Sequence, residues 1–141
     1  PIYHAGTLSG NPIAMTAGIK TIELLSSKKF HKNLENKTKK LMHGIQNAAH
    51  KYNIDLYVTY AGGMFGVFFT DQEKIKNYNQ VKSCNNLMFE NFFKIMLSKG
   101  IYFAPSSFEA GFISSKHSQK DISFTLKSAE EAFKEISIKN L

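Results

Sequence analysis

The stretch Asn53-Ile54-Asp55-Leu56-Tyr57-Val58-Thr59-Tyr60-Ala61-Gly62-Gly63-Met64-Phe65-Gly66-Val67-Phe68-Phe69-Thr70 is where the pattern of the chain turns from helical to extended. Ile54, Leu56 and Val58 alternate with Asp55, Tyr57 and Thr59, and a period of two sends one set of side chains to each face of a strand. Ala61-Gly62-Gly63 supplies a reversal, so the two runs read as a β-hairpin or as two successive strands about a glycine turn. Met64 to Phe69 is apolar on both faces, which predicts a central place in its sheet.

Working toward the N-terminus, Phe30, Leu34, Leu41, Ile45, Ala48 and Tyr52 recur at the spacing of an amphipathic helix over about 28–52. Its other face carries Lys28, Lys29, Lys32, Lys37, Lys39, Lys40 and Lys51 against Glu35 alone. Without aromatic interleaving or arginine, that face reads as solvated rather than as a polyanion-binding stripe. Asn11-Pro12 is an N-cap residue with proline at the first helical position, so another helix runs from there to about Leu25 and stops at Ser26 or Ser27. Ile13, Ala14, Ala17, Gly18, Ile19 and Ile22 make it apolar or small all round, and it is expected to pack into another domain or a second subunit.

Toward the C-terminus, Asp71 to Cys84 reads as a polar connection. A helix over about 86–99 follows, with Phe89, Phe92, Phe93, Met96 and Leu97 on one side and Gly100 as its C′ residue. Ile101-Tyr102-Phe103 reads as a short strand stopped by Ala104-Pro105, and 106–115 as a loop. Ser118 with Asp121 forms a capping-box variant that opens a last helix carrying Ile122, Leu126, Ala129, Phe133 and Ile136. The order ααββαβα predicts an α+β unit, an open-faced sandwich with helices on one side of a small sheet.

Composition narrows the function classes. All 18 basic residues are lysine, against 11 acidic ones, and the absence of arginine removes the forked donor on which base and phosphate readout leans. With 43% hydrophobic residues in 141, a packed core is expected and disorder is not. The single cysteine, Cys84, rules out an internal disulfide framework and fits a reducing compartment; no histidine stands near it in sequence to support a nucleophile. His31, His43 and His50 lack metal-ligand spacing and read as surface or packing residues. No apolar run reaches the ~18 to 20 residues of a membrane span. Because the chain opens on Pro1, it reads as processed or as a piece of something longer.

Two places could carry chemistry. Gly6, Thr7, Ser9 and Gly10 stand just ahead of a helix N-terminus, where free N–H groups, the helix dipole and hydroxyls favour an anion, although such loops commonly do no more than cap the helix. Glu109 sits between Phe108 and Phe112, an apolar setting for a carboxylate in a loop, and reads equally as a site residue or as an exposed one. His117 precedes the last helix, and sequence alone leaves its role open.

The string Tyr3-His4-Ala5-Gly6-Thr7-Leu8-Ser9-Gly10-Asn11-Pro12-Ile13-Ala14-Met15 resembles the signature that follows the cofactor-lysine segment in the glutamate-1-semialdehyde 2,1-aminomutase family. These are class-III aminotransferase-like enzymes that depend on pyridoxal phosphate. Gly62-Gly63-Met64-Phe65-Gly66 with Phe68-Phe69-Thr70 is similar to a second family block. A third comprises Met96-Leu97, Gly100-Ile101-Tyr102, Ala104-Pro105-Ser106, Phe108-Glu109-Ala110-Gly111-Phe112 and Ser114, with His117, Asp121 and Thr125 beyond. The blocks keep family order over nearly the whole chain. Tyr78-Asn79-Gln80 and Ser83-Cys84-Asn85 depart from the family pattern.

The resemblance implies the C-terminal part of a fold-type-I enzyme, with 1–27 closing the large cofactor domain and 28–141 forming the small α+β domain. It implies pyridoxal 5'-phosphate as cofactor, with Gly6 and Thr7 reaching across a homodimer interface to the partner's cofactor phosphate. Glu109 inherits a place near the substrate. The implied reaction converts glutamate 1-semialdehyde, a small amino-acid aldehyde, to 5-aminolevulinate for tetrapyrrole synthesis; another class-III (ω) aminotransferase is the alternative, and the lack of arginine favours the aminomutase. No metal, nucleic acid or membrane is implied. The Schiff-base lysine is expected upstream of these residues, which leaves no catalytic residue among them and no activity in the chain alone. The implied location is the cytoplasm, or the plastid stroma in a photosynthetic eukaryote.

Overall fold

The amide nitrogens of Ile13 and Ala14 both donate to Asn11 Oδ1, at 3.0 and 3.1 Å, and Pro12 occupies the first turn of α1 (Pro12–Leu25), as its sequence predicts. The computed structural model describes Ile2 and residues 5–139; the Tyr3-His4 start of the first motif lies outside the described residues, as do Pro1, Asn140 and Leu141. Beyond α1 come α2 (Lys28–Lys51), β1 (Leu56–Ala61), β2 (Met64–Phe69), α3 (Tyr78–Lys82), α4 (Asn86–Ser98), β3 (Gly111–Phe112) and α5 (Gln119–Lys139).

The hairpin forms as predicted. β1 and β2 pair antiparallel about Gly62-Gly63, from Ala61↔Met64 to Leu56↔Phe69, and β2 is the centre of the three-stranded sheet β1-β2-β3. That register puts Leu56, Val58, Tyr60, Phe65, Val67 and Phe69 on one face, against α2, α4 and α5. The core closes on three phenylalanines. Phe92 of α4 and Phe133 of α5 stack at 4.9 Å and 12°, and Phe69 meets them at 5.6 and 6.2 Å.

On α2 the buried stripe is Thr38, Leu41, Met42, Ile45 and Ala49. Phe30, Ala48 and Tyr52, placed on the core face by their spacing, are half-buried, because that face is rotated toward Met42 and Ala49. Helix α1 buries nothing: Ile13, Ile19 and Ile22 are exposed, and it meets the rest of the chain chiefly through α2.

The strand expected at Ile101-Tyr102-Phe103 does not form. Gly100 takes φ +81°, its N–H donates to Leu97 O and that of Ile101 to Met96 O, both at 2.9 Å. This paired closure of the α4 C-terminus consumes the Ile101 donor a sheet would need. The third strand forms later instead, with Gly111 opposite Phe65 and Phe112 opposite Met64, and Ile113 N donates to Gly63 O at 2.7 Å.

The connection before α4 also holds more structure than its polarity predicts. Asn77 Oδ1 accepts from Gln80 N at 3.1 Å, and the Gln80 side chain bonds the backbone of Lys76 and Lys74, giving the one-turn α3. The order is therefore ααββααβα. It keeps the α+β architecture expected, with the three long packed helices on one side of the sheet. At the start of α5 the capping box closes reciprocally: Ser118 N donates to Asp121 Oδ2 at 2.6 Å and Asp121 N to Ser118 Oγ at 3.2 Å. No helix among the described residues is long and apolar enough to cross a membrane.

Candidate functional site

The face of the sheet that the helices leave open carries Tyr57, Thr59, Ala61, Met64, Gly66 and Phe68. Pairing of β3 with β2 swings the segment before it, 105–110, across the end of this face. A groove of about 290 Å³ results, lined by Thr59, Gly66 and Phe68 from the sheet, Tyr78 from α3, and Phe108 and Glu109 from the loop. Phe108 and Tyr78 close one wall, ring centroids 5.7 Å apart.

Backbone bonds fix where Glu109 stands. Its N–H donates to Ser106 O at 3.1 Å and that of Phe108 to Ser106 Oγ at 3.2 Å, a tight turn. The turn is held from below by Ser107, a buried residue whose hydroxyl donates to Asn86 Oδ1 at 2.7 Å at the start of α4. The Glu109 side chain is exposed and makes no hydrogen bond or ion pair among the described residues. An uncommitted carboxylate on a largely apolar wall can accept a hydrogen bond from an ammonium group or hold a proton.

Gly6 and Thr7 lie in a separate turn, closed by Ser9 N to Gly6 O at 2.9 Å and Asn11 N to Leu8 O at 3.0 Å. A side chain at residue 6 would meet Ser9 Oγ at 2.8 Å, so glycine suits the turn. Asn11, the N-cap that the sequence predicts, takes the N–H groups of Ile13 and Ala14. The amides of Gly6, Thr7, Leu8 and Gly10 have no acceptor among the described residues, and the hydroxyls of Thr7 and Ser9 are on exposed residues. With no acidic side chain in 5–10, this donor set fits a phosphate group. Neither Gly6 nor Thr7 lines the groove, so the chain by itself does not bring them to Glu109.

The other sequence candidates find structural roles. His117 Nδ1 accepts from Ser114 N at 2.9 Å, which shapes the turn into α5. Cys84 is buried, its thiol donates to Gln80 O, and burial pushes the thiol up, away from the thiolate a nucleophile needs. His43 packs edge-on against Tyr60, and His31 Nε2 lies 2.6 Å from Leu25 O. Among the described residues no three His, Cys, Asp or Glu side chains gather as metal ligands. Sequence reading missed Ser107, Asn86 and Tyr78, none of which carries a local signal of its part in the groove.

A family model, aminotransferase class-III, matches residues 1–118. Among solved structures, a transaminase with PLP bound is 17% identical at a TM-score of 0.75 over 98% of this chain and 30% of its own. An omega-transaminase from Sphaerobacter thermophilus is 16% identical at 0.76 over 94% and 30%. A beta-phenylalanine aminotransferase from Variovorax paradoxus is 16% identical at 0.80 over 98% and 31%. At these identities the likeness establishes the fold, that of a segment of fold-type-I aminotransferases, and the chain spans about 30% of the length of those proteins. Class-III aminotransferases use pyridoxal phosphate, the cofactor that the sequence resemblance implies. A match over 118 of 141 residues, on a fold shared from end to end, places the chain in the class-III aminotransferase family.

Proposed function

We propose that the protein carrying this chain is a pyridoxal-phosphate-dependent aminomutase that converts glutamate 1-semialdehyde to 5-aminolevulinate. The chain supplies its small α+β domain and one edge of a site shared by two subunits of a cytoplasmic homodimer. One observation carries the reading. The β2–β3 pairing seats the Phe108–Phe112 block on the Gly62–Thr70 block, so that Glu109 stands over the groove beside Gly66, in a chain with no arginine at all.

Pyridoxal phosphate, when bound, supplies the electron sink for moving an amino group between adjacent carbons. Gly6 and Thr7 would hold its phosphate from the partner's side of the interface, with backbone amides and the Thr7 hydroxyl as donors. Glu109 orients the substrate amine by accepting its hydrogen bonds. Phe68, Tyr78 and Phe108 make that flank apolar. The substrate carboxylate finds its cation outside these residues.

A transaminase with separate amino donor and keto-acid acceptor is the second reading, supported by the solved relatives named as transaminases. Incubating the full-length enzyme with glutamate 1-semialdehyde and no keto acid separates the two. The aminomutase forms 5-aminolevulinate in that mixture; a strict need for an added keto acid would replace it with the transaminase.

A further inference from the structure

Ser107 is one of three buried polar residues among those described, with Thr38 and Ser128. Thr38 bonds within its own helix, to Leu34 O at 3.0 Å, whereas the Ser107 hydroxyl reaches Asn86 Oδ1, 21 residues away in sequence, at 2.7 Å. A non-local bond between two side chains under a surface loop is a specific device, since most side-chain bonds run to backbone or water.

Asn86 is itself anchored. It is the first residue of α4, and Asn85 before it donates its N–H to Phe69 O at 2.9 Å while its Oδ1 accepts from Met88 N at 3.0 Å. A rigid path therefore runs from the end of the central strand through the α4 N-terminus to Ser107. On the far side of Ser107 the turn has two bonds among the described residues, both internal: Phe108 N to Ser106 Oγ and Glu109 N to Ser106 O. Those hold the shape of the turn; its place is set on one side by Ser107 and on the other by β3, where Gly111 pairs with Phe65. Pro105 ahead of it has no N–H to contribute. The Glu109 side chain has no partner of its own among the described residues, so its location over the groove follows the backbone.

We propose that Ser107 and Asn86 form a latch that sets the position of Glu109, making both positioning residues for whatever Glu109 does in the groove. The inference rests on the reading of Glu109 as the residue that meets substrate. Cutting the Ser107 bond leaves the turn held from the β3 side alone, where Gly111 pairs with Phe65, and a shift of about 1 Å costs up to ~100-fold in a reaction that depends on alignment. For an unlatched turn that still samples its bound position, about three- to tenfold is expected.

The test uses the full-length enzyme in two readouts. The first, amide hydrogen exchange at Phe108, Glu109 and Ala110, needs no substrate: exchange rises in Ser107→Ala and Asn86→Ala but not in Asn86→Asp, which keeps the acceptor oxygen. The second is a double-mutant cycle on kcat/KM. Ser107→Ala lowers it about three- to tenfold in the wild-type background and has no further effect in Glu109→Gln, since a positioning residue acts through the residue it positions. An equal loss in both backgrounds, or unchanged exchange in Ser107→Ala, overturns the latch. Should the enzyme need a keto acid, the aminomutase reading fails by itself, and the same cycle run on the amine-to-keto-acid reaction decides the latch by the same outcomes.

Discussion

Lys37 of α2 donates through Nζ to two backbone carbonyls at once, Ser115 O at 2.8 Å and His117 O at 2.7 Å, some 80 residues away in sequence. One lysine of the basic face is thus a structural clamp. It holds the segment between β3 and α5 against α2, and Lys40 extends the contact through Gln119 Oε1 at 2.8 Å. The neighbouring Lys28, Lys29, Lys32 and Lys39 are exposed, as a solvated face should be.

Lys37→Met keeps the alkyl stem and removes the donors. With two charge-assisted bonds lost at a half-buried site, a cost of about 1 to 2 kcal/mol is expected. Urea unfolding reads the stability, and amide exchange over 114–118 reads the loop. A midpoint equal to that of wild type, with exchange unaltered, would return Lys37 to the solvated face.

Gly111 leaves no room for a side chain, because an added methyl would fall on the Phe65 ring, which itself packs edge-on to Phe103 at 5.9 Å. Gly111→Ala must move a buried aromatic or part β3 from β2, and about 1 to 3 kcal/mol of destabilisation is expected. Loss of protection at Ile113, whose N–H donates to Gly63 O, should accompany it. Retained protection together with unchanged stability would mean that the sheet edge yields freely.

Hydrogen bonds from the Ser118 backbone and hydroxyl hold the Asp121 carboxyl below its usual range, with Lys37 contributing through its charge. A carboxylate whose folded pKa is depressed adds stability that is present above its unfolded value of about 3.9 and lost as pH falls through the folded one. Asp121→Asn should therefore be less stable than wild type near neutrality and should lose less on acidification below about pH 4. Urea midpoints measured down to acid pH give both curves. Parallel curves would show that the capping box carries no proton linkage.

In the full-length enzyme, Thr7→Val removes a hydroxyl while nearly keeping side-chain volume. A hydrogen bond to a charged acceptor contributes about 1.5 to 3 kcal/mol, so a roughly ten- to hundredfold loss of pyridoxal phosphate affinity is expected. Dialysis followed by absorbance of the retained cofactor measures it, and sedimentation should show weaker dimers, since a ligand bound only by the assembled site stabilises the assembly. Equal retention in mutant and wild type would leave Thr7 as a turn residue ahead of α1.

Local rules sufficed for much of this fold. The Asn11-Pro12 start of α1, the Ser118/Asp121 box, the Gly100 stop and the alternation of β1 are written in residues within a few positions of one another, because caps, turns and strand periodicity are short-range geometry. The family was legible for a related reason: its blocks are contiguous strings, and they need no folding to be read. Competition between elements decided the rest. Ile101-Tyr102-Phe103 has the composition of a strand, but closing α4 took the Ile101 N–H, and Gly111-Phe112 could approach β2 where residue 111 has no side chain. That outcome, fixed by which donor was already used and which backbone could come close, seated Glu109 over the groove and gave Ser107 its partner in Asn86.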